Sequence, residues 1–325
     1  VKIPLTMLFS FNKVGTLPML IDRNLLHEFE SGLNPQDLKN SPIPATIIGY
    51  GEMSAIFQIA GNSEAAFKRL PLFSNRSSAE QYTQHHDEYC RLLTGAGLNL
   101  PEHETVIIEP VNRPVAVYIA QKLIPSRRFG HRLIHKWDRD RIYLLLERIV
   151  AEISKIWRYN SSHHPAVRLA LDGQLSNWAW FDDQPRLEIY YIDTSTPLFC
   201  IDGIERLDPE LFLKSAPAFL RWILRWLFVK DVISRYYDQR QVYTDLAANL
   251  YKEQRPDLIP AVVGIINRQL GTDQKPLTVD GINKYYREDK LIWSLYLSFR
   301  RIDRWLTSQI FRRRYEYILP GKIRR

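Results

Sequence analysis

The chain has 325 residues, of which 45% are apolar and 25% are charged, the balance of an ordinary soluble globular protein. This length is enough for two packed units. Most of the net charge of +8 lies between positions 300 and 325, where nine basic residues outnumber two acidic ones. No run of about 18 uncharged apolar residues occurs, so we expect no membrane-spanning helix. The first residues fit a signal peptide poorly.

The two cysteines, Cys90 and Cys200, stand far apart, with no Cys-x-x-Cys pair and no recognised Cys/His spacing. We therefore expect neither a disulfide framework nor a zinc site, but two reduced thiols in a cytoplasmic protein. His163 and His164 precede Pro165 without a third ligand at a recognisable spacing, so we interpret them as part of a solvated loop.

Residues 1–40 have the pattern of an N-terminal helical extension. The apolar spacing from Asp22 to Phe29 predicts a short helix with Asp22 as its N-cap. A glycine and an Asn-Pro pair then end the helix.

From Ala45 to about Leu123 the pattern is mainly that of strands, with one helix predicted from Ser78 to Thr94. This order predicts a small antiparallel sheet with one packed helix. The predicted strands are 46–48, 54–60, 65–70, 105–109 and 115–121, with a hairpin turn at Gly61-Asn62.

Beyond Pro125 the helical period dominates, beginning with a long helix predicted from Arg141 to Tyr159. Two short strands, 178–181 and 187–192, come after a loop. Further helices are predicted over 209–229, 230–238, 240–253, 257–269, 279–288 and 290–315. The first of these carries Trp222 and Trp226, which we expect to pack in the core.

The first motif that could carry chemistry is the glycine turn at Gly49 and Gly51, followed by Ser54. Glycine lacks a Cβ atom, so the backbone can approach a phosphate closely and adopt positive φ. The hydroxyl of Ser54 could donate to the same phosphate. Such a turn between strands is more often a plain hairpin, so its meaning depends on the other motifs of the chain.

Lys68 is the second motif, one hairpin beyond the glycine turn. That distance would place its ammonium beneath the turn, within reach of α- and β-phosphates, although an exposed edge lysine is the alternative. An acidic partner would orient it. Glu88 in the predicted helix is the better candidate and Glu80 the second, and a plain solvated glutamate remains open.

The third motif joins Asp172, Asn177 and Asp193. The Asp172 carboxylate could accept the proton of an attacking hydroxyl. The amide oxygen of Asn177 and the carboxylate of Asp193 are ligands that Mg²⁺ prefers, and the hairpin between them would bring them together. The three motifs predict a site for a nucleotide triphosphate and its magnesium.

In this order the motifs resemble those of the protein-kinase-like superfamily, and more closely its small-molecule branch of aminoglycoside and choline phosphotransferases. The resemblance covers about residues 45–250. It implies an α+β, two-lobed fold with a small antiparallel β-sheet N-lobe, 41–124, and a mainly helical C-lobe, 125–325, that ends in a basic helix. The segment from Asp193 to Asp238 also resembles an uncharacterised bacterial family of this superfamily without an assigned substrate.

The resemblance implies an ATP- and Mg²⁺-dependent phosphotransferase that acts on a hydroxyl of a small molecule. It makes Asp172 the catalytic residue and Asn177 and Asp193 the metal ligands. It adds the hinge 117–123, where Gln121 and Leu123 would meet the adenine. The other cofactor-binding residues it implies are Gly49, Gly51, Ser54, Lys68 and Glu88.

Some positions depart from the family pattern. Ala170 replaces the usual histidine two residues before the catalytic aspartate, Ser54 replaces the third glycine, and Thr194-Ser195 replaces Phe-Gly. No Ala-Pro-Glu segment occurs, which argues against a protein substrate. The departures keep an alternative open, a pseudokinase that binds nucleotide without transferring phosphate.

The basic C-terminal tail, residues 300–325, interleaves its arginines with aromatic residues. It could contact an anionic membrane surface or nucleic acid. We prefer a final helix whose aromatic face packs on the helical lobe while the arginines are solvated, because the aromatics recur at helical spacing.

Overall fold

The computed structural model describes residues 21–51, 54–182, 187–208, 210, 229–271 and 274–319. The helix predicted over 209–229, with Trp222 and Trp226, lies outside the described residues except at its ends.

The first half of the chain forms a five-stranded antiparallel sheet. Its strands are β1 Ala45–Tyr50, β2 Ala55–Ile59, β3 Ala65–Phe73, β4 His103–Ile108 and β5 Val115–Lys122. They are arranged in the order β1-β2-β3-β5-β4. Buried and partly exposed residues alternate along β2, because successive side chains point to opposite faces. Gly61, with φ of +91°, turns the chain between β2 and β3. The strands predicted in this region are confirmed.

One face of the sheet is covered by helix α1, Arg23–Gly32. The predicted cap is confirmed, because the Asp22 carboxylate accepts hydrogen bonds from two backbone amides of the first turn. Leu26 and Phe29 form an apolar stripe that is buried against the sheet in one core cluster. The sequence placed this helix in an N-terminal extension. In the structure it packs against the sheet.

The opposite face is covered by helix α2, Arg76–Gly95, which Asn75 caps by accepting from the amide of Ser78. Tyr82 packs in the cluster on the sheet, whereas Tyr89 packs in the large core of the helical part. Helix α2 therefore belongs to both cores and fixes the sheet against the helical part.

The rest of the chain is mainly helical. The helices are α3 Gly130–Leu133, α4 Arg139–His163, α5 Val229–Tyr236, α6 Gln239–Lys252, α7 Ile259–Gln269 and α8 Val279–Trp305. Helix α4 buries Ile142, Leu145, Leu146, Ile149 and Ile153 at helical spacing in the large core, as predicted. Together with the sheet this gives a mixed α/β molecule, and that much of the predicted fold class is confirmed.

Short strands surround the loop that carries Asp172. They are β6 Val167–Leu169, β7 Trp178–Phe181, β8 Glu188–Tyr191, β9 Phe199–Ile201 and β10 Ile204–Glu205. The predicted β7–β8 hairpin is confirmed, and β6, β9 and β10 form a three-stranded sheet. The sequence did not predict this second sheet, because strands of two or three residues are too short to display a period.

The C-terminal segment differs from its prediction. Helix α8 runs without a break through the two helices predicted over 279–288 and 290–315, but it ends at Trp305. A short π-helical turn comes next, and the chain then leaves helical structure and returns to the sheet. Tyr315 is buried there, whereas Trp305 and Phe311 are more than half exposed. The preferred prediction, a helix with its aromatic face packed on the helical part, therefore fails for these two side chains.

None of the helices in the described part of the chain combines the length and apolar composition that crossing a membrane requires.

Candidate functional site

The glycine turn after β1 lies over the side chain of Lys68. The amide of Gly51 donates to the carbonyl of Ser54 at 2.9 Å and closes the turn. A Cβ atom at Gly51 would lie 2.6 Å from Oγ of Ser54 and 3.7 Å from Cε of Lys68, so a larger residue would displace the serine hydroxyl. Neither Gly49 nor Gly51 has positive φ, contrary to the expectation. The turn uses the missing Cβ of Gly51 rather than its backbone freedom.

Lys68 on β3 points into the interior between the sheet and the helical part. Its ammonium donates to Oδ1 of Asp193 at 2.6 Å and to Oγ of Ser195 at 2.7 Å. Burial opposes ionisation of Asp193, but the charge of Lys68 and the hydrogen bonds from Lys68 and Ser195 hold the pKa of the carboxyl below its ordinary value. The Asp193 carboxyl is ionised at neutral pH. The side chains of Lys68 and Asp193 are only 13% and 27% exposed.

The predicted pairing of Lys68 with Glu88 is corrected by the structure. Glu88 forms an ion pair with Arg91, one turn further along α2. The second candidate, Glu80, pairs with Arg76 at 2.7 Å on the exposed surface. The reason is the rotation of α2 about its axis, because its aromatic stripe faces the interior and both acids lie off that stripe.

Asp172 lies in the loop between β6 and β7, and backbone contacts hold it in place. Its Oδ1 accepts from the amide of Gln174 at 3.0 Å. Its own amide donates to the hydroxyl of Tyr191 at 3.3 Å. These contacts fix the carboxylate relative to the end of β8.

Asn177 and Asp193 lie at the paired ends of the β7–β8 hairpin. The amide of Ile192 donates to the carbonyl of Asn177 at 2.9 Å, which brings the two segments side by side. Nδ2 of Asn177 donates to the carbonyl of Asp172 at 3.2 Å, and this orientation leaves Oδ1 as the atom able to face a cation. An amide oxygen beside a carboxylate is a donor set that fits Mg²⁺.

The predicted hinge residues lie at the end of β5, beside the same hairpin. Nε2 of Gln121 donates to the carbonyl of Ile192 at 3.0 Å, so its side chain links the sheet to the Asp193 segment. The amide of Leu123 donates to the carbonyl of Glu64 at 2.7 Å. The amide of Leu123 is therefore already occupied by a backbone hydrogen bond.

A narrow cleft lies between the glycine turn and the Asp193 segment. Five of the predicted site residues line it: Gly51, Ser54, Lys68, Asp172 and Asp193. Five others are not among its described lining: Gly49, Glu88, Gln121, Leu123 and Asn177. Of these five, Asn177 remains tied to the cleft by its hydrogen bond to Asp172. The cleft therefore brings together five of the residues predicted to bind the phosphates and the metal and to act on the acceptor.

Comparison with known proteins places the chain in a family. The model of a family of unknown function, DUF6206, matches residues 36–304. The chain belongs to this family. No curated protein matches it. One solved structure that resembles this DUF6206 chain is WaaP in complex with acyl carrier protein. The two chains are 12% identical, and the match covers 66% of this chain and 88% of the WaaP chain. The TM-score of 0.32 is too low to carry a conclusion about function.

Two tyrosines of α2 that were not predicted as site residues support the candidate site of this DUF6206 protein. The hydroxyl of Tyr82 donates to the carbonyl of Ser195 at 2.7 Å, and that of Tyr89 donates to the carbonyl of Ala170 at 2.8 Å. Burial raises the pKa of both phenols well above the ordinary value, so they remain donors. Their seven-residue spacing on α2 was the available signal, since a buried phenol needs a hydrogen-bond partner.

Proposed function

We propose that the protein is an ATP- and Mg²⁺-dependent phosphotransferase that acts on a hydroxyl group of a small molecule. The observation that carries this proposal is the convergence of five predicted residues on one cleft, with the ammonium of Lys68 in contact with Asp193. The division into an N-lobe, 41–124, and a C-lobe, 125–325, and a cytoplasmic location are parts of the same proposal.

Lys68 and the glycine turn would bind the phosphates. The side chain of Lys68 lies directly beneath Gly51, and the hydroxyl of Ser54 lies beside them in the cleft. A positive charge under a turn without a Cβ atom suits the negative oxygens of a triphosphate. Positioning and charge neutralisation supply most of the rate enhancement in phosphoryl transfer.

Asp172 would orient the acceptor hydroxyl and accept its proton. Its carboxylate lines the cleft and is held by the amide of Gln174, so little reorganisation is needed. Asn177 and Asp193 would hold the cation, and a magnesium ion bound there would neutralise charge on the phosphate oxygens. Asp193 would then exchange part of its contact with Lys68 for the cation.

The alternative is a pseudokinase that binds nucleotide without transfer. Two observations favour it: Lys68 is already neutralised by Asp193, and neither Glu88 nor Glu80 pairs with it. Ala170 does not argue for it, because the hydroxyl of Tyr89 anchors the backbone at that position.

The C-terminal tail supports a second, separate proposal, contact with an anionic membrane surface. Trp305 and Phe311 are 55% and 63% exposed, and the side chains of Arg301 and Arg312 beside them are exposed as well. Exposed aromatic side chains among arginines are suited to the boundary between lipid headgroups and acyl chains.

Nucleotide binding and slow hydrolysis, measured without an acceptor, test the main proposal. We expect Mg-ATP to raise the melting temperature of the wild type and Asp193→Ala to abolish the rise. Asp172→Asn should keep the rise and lower slow ATP hydrolysis by roughly 10²–10⁴-fold, the contribution of a general base. Glu88→Gln is the matched control and should behave as the wild type.

Two outcomes would decide against the proposal. Unchanged Mg-ATP affinity in Asp193→Ala would show that Asp193 does not hold the metal of the nucleotide, and the assignment of the site would fail. Hydrolysis by the wild type no faster than by Asp172→Asn would select the pseudokinase. An active wild type would then be offered a panel of hydroxylated metabolites to identify the acceptor.

A further inference from the structure

A cluster of metal-ligating side chains lies behind the cleft, separate from the groups of the proposed phosphotransferase site. His86 and Cys90 stand one turn apart on α2, and His103 opens β4. One ligand atom from each of the three residues lies within 4.8 Å of the other two. His86 and Cys90 are buried, with exposures of 0% and 5%. No zinc site was expected from the sequence, because His86 and Cys90 indicate one only together with His103, which lies on a different element.

The distances fit two ligands on one metal ion. Sγ of Cys90 lies 3.7 Å from Nε2 of His86. Tetrahedral zinc with a Zn–S bond of about 2.3 Å and a Zn–N bond of about 2.1 Å places its two ligands about 3.6 Å apart. The observed sulfur–nitrogen separation therefore matches that of two ligands on a shared cation.

The surroundings orient both imidazoles. Nδ1 of His103 lies 3.0 Å from the carbonyl of Pro101, which can only accept, so Nδ1 is the donor of this contact and Nε2 is the nitrogen available to a metal. Nδ1 of His86 lies 3.5 Å from the carboxylate of Asp87. A carboxylate or carbonyl behind a histidine is the usual outer partner of a metal-bound imidazole.

We propose that His86, Cys90 and His103 form a binding site for Zn²⁺, a divalent cation that binds imidazole nitrogen and thiolate sulfur. Binding converts the Cys90 thiol to a thiolate, with its proton released to solvent, and both histidines bind as neutral rings. The fourth position lies next to the hydroxyl of Thr194, which is 3.0 Å from Nε2 of His86.

The site has a structural consequence for the cleft. Thr194 directly follows Asp193, so the cation joins α2 and β4 to the segment that holds the partner of Lys68. It would fix the position of α2 relative to the segment that follows Asp193. Zinc binding itself does not depend on the proposed phosphotransferase activity.

Metal titration of the full chain tests the site. Protein stripped with a chelator would be titrated with Zn²⁺ against a chromophoric chelator, and with Co²⁺ by absorption spectroscopy. We expect one equivalent of Zn²⁺ and, with Co²⁺, the near-ultraviolet charge-transfer band of a thiolate ligand with the visible bands of tetrahedral cobalt. Binding should release one thiol proton and tighten as pH rises.

Cys90→Ser should abolish the charge-transfer band and weaken Zn²⁺ binding by at least about 100-fold, since even outer partners are worth 10–100-fold. Cys200→Ser, the matched control at the other cysteine, should change neither. His103→Gln, at a partly exposed position, provides a second variant should Cys90→Ser fail to fold. The absence of stoichiometric Zn²⁺, or an unchanged cobalt spectrum in either variant, would overturn the proposal.

Discussion

The ammonium of Lys68 lies 2.6 Å from Oδ1 of Asp193, although 125 positions separate the two residues in the chain. The contact joins the sheet to the helical part, because Lys68 lies on β3 and Asp193 follows β8. The same carboxylate is the proposed magnesium ligand. In the proposed enzyme one ion pair would therefore contribute to both folding and the chemistry of the cleft, and the two contributions can be separated by measurement.

Acid titration should expose the folding contribution. The pKa of Asp193 is lower in the folded protein than in an unfolded chain, so its stabilisation is complete above the unfolded value of about 4 and is lost as pH falls towards the folded value. The difference in free energy of unfolding between wild type and Asp193→Asn should be constant from pH 7 to 5 and shrink below pH 4. Urea unfolding at each pH measures it.

The control for this measurement is Asp182→Asn, which removes a carboxylate from a half-exposed pair with Arg141. The free energy of unfolding of this variant should differ from that of the wild type by about 0–1 kcal/mol. A difference for Asp193→Asn that does not change with pH would contradict the assigned ion pair.

Tyr89→Phe should uncouple turnover from nucleotide binding. It removes the hydrogen bond to the buried carbonyl of Ala170, which costs about 1–3 kcal/mol of stability and loosens the backbone two residues before Asp172. We expect slower ATP hydrolysis with an unchanged affinity for Mg-ATP.

Tyr243→Phe is the matched control, since it removes a tyrosine–carbonyl hydrogen bond to Val150 in the helical core. It should cost similar stability and leave hydrolysis unchanged. Equal losses of hydrolysis in both variants would mean that Tyr89 acts only through general stability.

Glu30→Ala should be strongly destabilising. The carboxylate of Glu30 is fully buried, pairs with Arg69 at 2.6 and 2.7 Å and accepts from the hydroxyl of Tyr118. Arg113 and Glu316 extend the network. Removing one member leaves a buried guanidinium undercompensated, so we expect a loss of about 3–5 kcal/mol in chemical unfolding.

The comparison variant is Glu104→Ala, which breaks the exposed pair with Arg23. That change should cost no more than about 1 kcal/mol. Similar losses for the two variants would show that burial of the network does not govern its strength.

Binding to anionic vesicles should depend on the exposed aromatic side chains of the tail, Trp305 and Phe311. The double variant Trp305→Ser, Phe311→Ser changes two exposed side chains and leaves Glu316 in its network. We expect the wild type, but not the variant, to cosediment with vesicles that contain an acidic phospholipid, and neither to bind neutral vesicles. Truncation after Ser298 is a poorer test, because it also removes Glu316 from Arg69. Retained cosedimentation of the variant would refute the proposed contact.

Most of the local structure was predictable from the sequence. The strands of the large sheet, helices α1, α2 and α4 and the β7–β8 hairpin followed from apolar periods, caps and turn residues, which act over a few neighbouring positions. The convergence of Lys68, Asp172 and Asp193 was anticipated as well, but through the order of motifs rather than from any local signal.

The sequence alone determined which chemical groups the chain carries and where its helices and strands lie, since both depend on nearby residues. Only the tertiary structure decided which groups meet. Because α2 buries Tyr82 and Tyr89, Glu88 faces Arg91 and does not reach Lys68. Lys68 donates instead to Asp193 and Ser195. The contact of the tail residue Glu316 with Arg69 was also decided by the tertiary structure, because packing between residues far apart in sequence produces no periodic pattern in the sequence.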